Sequence, residues 1–131
     1  MKRVLLALFM LTATIGVTSR QQVAAYTPAP AAVTQTAFMA KVNQMDAQLS
    51  AHNVTAAQAT WEEIHTMMLS VLAVTKSSIH SAATPAAAAP FNTIMSNQIT
   101  LYQAIWGMKS NLVANQAPIK VKLTEFSATI Y

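Results

Sequence analysis

Glu62 and His65 stand three residues apart, a spacing that puts a carboxylate and an imidazole on one side of a helix. A carboxylate-bridged metal pair in a helical bundle needs two such Glu-x-x-His pairs and two further glutamates. This chain has one pair, and its four acids are Asp46, Glu62, Glu63 and Glu125. The count fails for that chemistry. The expected role is structural, with Glu62 on a solvated flank and His65 bordering the core through one hydrogen bond.

His65 also pairs with Met68, beside Met67, while Met39, Met45, Met95 and Met108 fall on other helices. Thioether and imidazole together suit copper or haem iron. In outline such a bundle resembles cytochrome b562, which implies a methionine near the start of the first helix and a histidine in the last. Met39 stands loosely in the first place, but no histidine follows His80. The second ligand is missing, and methionine at helical spacing serves well as core filler. The expectation is therefore no cofactor and no metal site. A Met/His metal or haem carrier is the alternative.

The remaining polar candidates have structural roles ready for them. His52 and His80 fall at helix ends, where an imidazolium favourably meets the last carbonyls. Trp61, Trp106, Phe38, Phe91, Tyr102 and Phe126 are expected on inner faces as bulky anchors. Gln98 and Lys109 interrupt an apolar stripe. Either Lys109 reaches out to solvent, or the two mark a polar patch at a contact between helices or proteins. Asn53-Val54-Thr55 is a glycosylation triplet, relevant only in a eukaryotic secretory pathway. No Gly-rich phosphate loop, His-Glu-x-x-His, Gly-x-Ser-x-Gly or triad pattern occurs, so no catalytic residue is expected.

What must position these residues is a small domain behind a leader. Lys2 and Arg3 precede an apolar run from Val4 to Val17, the build of a secretory signal peptide. The run is shorter than a membrane-spanning helix requires. Cleavage is expected after Ser19 or Ala25, placing the leader and the start of a linker in residues 1–25. Residues 26–33 form a Pro/Ala linker, and 34–131 the helical domain. An uncleaved leader serving as a membrane anchor is a further alternative.

The chain carries a net charge of +4. Cleavage after Ser19 leaves six basic residues against four acids, and cleavage after Ala25 also removes Arg20. These scattered charges form no basic stripe, so a nucleic-acid partner is not expected. Cysteine is absent, which removes disulfides, thiol catalysis and covalent haem attachment. The low charge is compatible with self-association. The expected localisation is periplasmic or secreted, with an unknown protein partner or self-association as the mode of action and no membrane contact after cleavage.

The predicted fold class is all-α, an up-and-down bundle of three to four helices. Phe38, Val42, Met45 and Leu49 share one face of a first helix that starts at Thr34 or Thr36 and ends near His52-Asn53, with Asn in the left-handed position. Thr55 to Gln58 fits a capping box opening a second helix. Its stripe is Trp61, Ile64, Met68, Val71 or Leu72, Thr75 and Ile79. The short link between these two helices implies an antiparallel hairpin. Residues 81–90 read as a break, with Pro85 and Pro90 each able to open a helix. A third helix is predicted from Phe91 to Asn115, with Phe91, Ile94, Met95, Tyr102, Ile105, Trp106, Leu112 and Val113 on its apolar face. The tail from Pro118 alternates like a strand but also places Ile119, Leu123, Phe126 and Ile130 at helical spacing. A lone strand would lack a partner, so helix is expected.

Overall fold

The computed structural model describes residues 32–131, and within them every regular element is helical. The leader, both cleavage sites and the linker through residue 31 lie outside the described residues. Thr34 opens the first helix, α1 (Gln35–Ser50), its hydroxyl accepting a hydrogen bond from the Ala37 amide. Phe38, Val42, Met45 and Leu49 are all buried along one face, as the spacing predicts.

The end of α1 corrects the sequence reading by one residue. The left-handed position belongs to His52, at φ 61°, and not to Asn53. The His52 amide donates to the Leu49 carbonyl, and the Asn53 amide donates to the Gln48 carbonyl. These paired bonds close a Schellman turn and satisfy carbonyls that the helix end would leave bare. Histidine tolerates this backbone region better than most residues with a Cβ.

Asn53 is then free to cap the second helix, α2 (Val54–Ser81). Its side-chain oxygen accepts from the Ala56 amide at 3.2 Å. The expected capping box at Thr55 is therefore displaced: Thr55 is already inside the first turn. Asn is at least as good a cap as Thr, and the turn delivers it first. Trp61, Ile64, Met68, Val71 and Thr75 are buried along α2, and Ala57 and Thr60 extend that face.

The break expected over 81–90 shrinks to three residues. Thr84 caps the third helix, α3 (Pro85–Met108), accepting from the Ala87 amide, and Pro85 occupies its first turn. The helix runs on through Pro90. Alanine's propensity carries the backbone past the one amide that Pro90 lacks. At the other end α3 stops at Met108, not Asn115, and a 3-10 turn covers Lys109–Asn111. Asn115 fixes this exit, donating to the Met108 and Asn111 carbonyls. Because the helical phase is lost there, Leu112 is buried while Val113, expected on the apolar face, is exposed.

The tail is a helix, α4 (Gln116–Ser127), with Ile119, Leu123 and Phe126 fully buried. Pro118 lies in its first turn, where a missing amide hydrogen costs nothing. The four helices pack in a ring: α1 and α3 each pack on both α2 and α4. Phe38 meets Phe126 at 5.6 Å between ring centroids, and both are fully buried. Full burial of such side chains stabilises by roughly 1.5–3 kcal/mol each.

The helices differ in length. α2 has 28 residues and α3 has 24, against 16 in α1 and 12 in α4. At 1.5 Å per residue the α2–α3 hairpin is therefore about half as long again as α1 or more. Its outer face is the longest surface of the bundle, and it carries the most unusual residues.

Candidate functional site

Two helices and their antiparallel register build the outer α2–α3 face. The His65 Nε2 lies 2.9 Å from the Tyr102 hydroxyl, fixing which turns lie opposite one another. One turn toward the α2 start, Trp61 stacks on His65 with centroids 6.0 Å apart. Trp106, one turn beyond Tyr102, lies 4.9 Å from His65 and 6.0 Å from Tyr102. The Lys109 ammonium then sits 4.3 Å from the Trp106 ring centroid. Such a contact is worth about 0.5–1 kcal/mol at an exposed site.

In the opposite direction the i, i+4 step from His65 leads to Leu69, and the i−3 step from Tyr102 leads to Ile99. Leu69 is 48 % exposed, Ile99 42 % and Trp106 44 %. Trp106 therefore departs from its expected inward position. It lies to one side of the buried line through Gln98 and Ile105, where His65 of α2 covers only part of its ring. His65 takes the expected core-border place with one hydrogen bond. Tyr102 and Phe91 are only partly buried, while Trp61, Phe38 and Phe126 are core anchors as expected.

Charge on this face is sparse and ordered. Among the described residues, Lys41 pairs with Glu63, Lys120 with Asp46 and Lys122 with Glu125. Glu62 and Lys76 are exposed and make no ion pair. They stand seven residues to either side of Leu69, on nearly the same line along α2. Beside Glu62, a groove of about 470 Å³ runs past Trp61, Lys109 and Leu112.

Gln98 and Lys109 form no common polar patch. Gln98 is fully buried, and its Nε2 donates to the Thr129 carbonyl at 3.4 Å. Its Oε1 has no partner. Lys109 belongs to the aromatic face. His65 and Met68 likewise part company, since Met68 is fully buried in the core while the His65 nitrogen faces Tyr102. Among the described residues no three His, Asp or Glu side chains converge.

A second polar cluster joins α1 to α4. Lys120 Nζ donates to Asp46 Oδ2 at 2.8 Å, and Gln116 Nε2 donates to Asp46 Oδ1 at 3.1 Å and to Ser50 Oγ at 2.9 Å. The Lys120 bond, followed by the Gln116 bond, holds the Asp46 carboxyl below the usual carboxylate range, against the opposing effect of burial. Every member has its partner, and the cluster reads as a clamp between helices.

Two features of the α2–α3 face escape sequence reasoning. Leu69 and Ile99 are ordinary aliphatic residues, and only the register set by His65 and Tyr102 puts them at a similar level along the two helices. The Glu62–Leu69–Lys76 heptad is visible in the sequence, but nothing there separates its unpaired charges from the paired ones. No known family, curated protein or solved structure matches this chain. Its own residues are what bears on its function.

Proposed function

We propose that the protein is an exported, non-catalytic helical bundle that acts by protein contact through the outer α2–α3 face. The observation that carries this reading is the exposed row of Trp106, Ile99 and Leu69 around the His65–Tyr102 bond. A contiguous apolar surface on a small domain marks a contact site more readily than scattered single residues do. Aromatic anchors beside a cation are the residue types that dominate protein contacts. The leader would deliver the bundle to the periplasm or the cell exterior, and the Pro/Ala linker would hold it clear of whatever its N-terminus neighbours. Among the described residues, no helix is long and apolar enough to cross a membrane.

The test is site-specific crosslinking in the cells that make the protein. A photoreactive residue in place of Ile99 should give a discrete adduct. The same residue in place of Gln44, exposed on α1, should give none. Equal labelling at both positions, or none at either, overturns the reading.

A further inference from the structure

We infer that the occupant of the outer α2–α3 face is a second copy of this chain, joined through a two-fold axis that crosses α2 near Leu69 and α3 near Ile99. The inference rests on the contact-face reading above and names the partner. Its basis is charge complementarity. A two-fold axis lying in the plane of this face, perpendicular to the helices, lays α2 against α2 of the second copy in the opposite direction. Each residue n positions before Leu69 then meets the one n positions after it. Glu62 meets Lys76 of the second copy, and Lys76 meets Glu62 of the second copy.

Within one molecule these two charges cannot meet. Fourteen residues of helix hold them about 21 Å apart. Between two copies, both find partners at once. The same axis brings Leu69 onto Leu69 and, one strip across, Ile99 onto Ile99. Trp106, seven residues after Ile99, comes over Asn92 of the second copy, seven residues before it. Asn92 is exposed, and its side-chain carbonyl offers an acceptor for the indole N–H. An isologous contact needs one patch complementary to itself, and a negative and a positive end equidistant from an apolar centre meet that condition. No other pair of unpaired charges among the described residues is placed so symmetrically about exposed apolar residues.

The test is sedimentation equilibrium of the purified exported protein across a wide concentration range, with three charge variants. Wild type should dimerise reversibly. Glu62→Lys and Lys76→Glu each turn both pairs repulsive and should weaken the dimer about tenfold or more. The double variant E62K/K76E reverses the pairs and should recover most of the wild-type affinity. Both altered positions are exposed in the folded monomer, and circular dichroism verifies that the helices remain. A wild-type monomer at every concentration, or a double variant no tighter than the singles, overturns the dimer. The crosslink from position 99 separates the two readings. An adduct with twice the chain's mass supports both, and an adduct of another mass overturns the dimer alone. Failure to crosslink removes the contact face, and the dimer with it.

Discussion

The Nε2 of His65 and the hydroxyl of Tyr102 lie 2.9 Å apart and join α2 to α3 across the outer face of the bundle. This bond sets the register of the longest hairpin, and the placing of Trp61, Trp106, Leu69 and Ile99 follows from it. Tyr102→Phe removes the bond while keeping the ring. The variant should lose about 0.5–1.5 kcal/mol of stability, read from urea unfolding. Unchanged stability would show that ring packing alone holds the register.

The link between α1 and α2 yields a second prediction. Asn53 caps α2 through its side-chain oxygen, so Asn53→Ala should cost about 1 kcal/mol. Thr55→Ala should be nearly neutral, because Thr55 lies inside the helix. His52→Gly should stabilise by up to about 1 kcal/mol, since glycine takes a positive φ without Cβ strain. Thermal melts of the three variants distinguish this arrangement from the capping box that the sequence suggests.

Gln98 is the bundle's internal misfit. Its Oε1 is buried without a partner, and its only bond is a long one to Thr129. Gln98→Met keeps the volume and removes the orphaned acceptor. It should raise stability by about 1 kcal/mol. A loss of stability would mean that the Thr129 bond matters more than the unpaired oxygen.

Asp46 gives a pH dependence whose sign is fixed. Its carboxyl is held below the usual range by Lys120 and then Gln116. A lowered folded value means that its contribution is fully present above the unfolded value near pH 4. It is lost as pH falls through the lower folded value. Asp46→Asn should therefore be less stable than wild type at neutral pH and flatter below about pH 4. Urea midpoints across that range measure the difference.

Much of this architecture is legible in the sequence. The apolar spacing of α1 and α2 identifies nearly every buried residue of both, because a long 3.6-residue period has one solution. The tail resolves as α4 because a single strand has nowhere to pair. Boundaries are less legible. Thr55 and Asn53 are both competent caps, and the Schellman turn at His52 decides between them. Pro90 looks like a helix start, yet Thr84 and Pro85 open the helix a turn and a half earlier. The outer face is the least legible part. Trp106 and Lys109 look like core anchor and solvent cation, and only the packing of α2 on α3 shows that they touch. Leu69 acquires meaning from the two unpaired charges around it, and pairing is a property of the fold.

Native mass spectrometry of the protein purified from the exported fraction, without added metals or chelators, should show a chain beginning at Arg20 or Tyr26, present as a dimer of that chain with no added mass. A species that stays monomeric at all concentrations, or one carrying the mass of iron, copper or haem, would sink the self-associating, cofactor-free bundle.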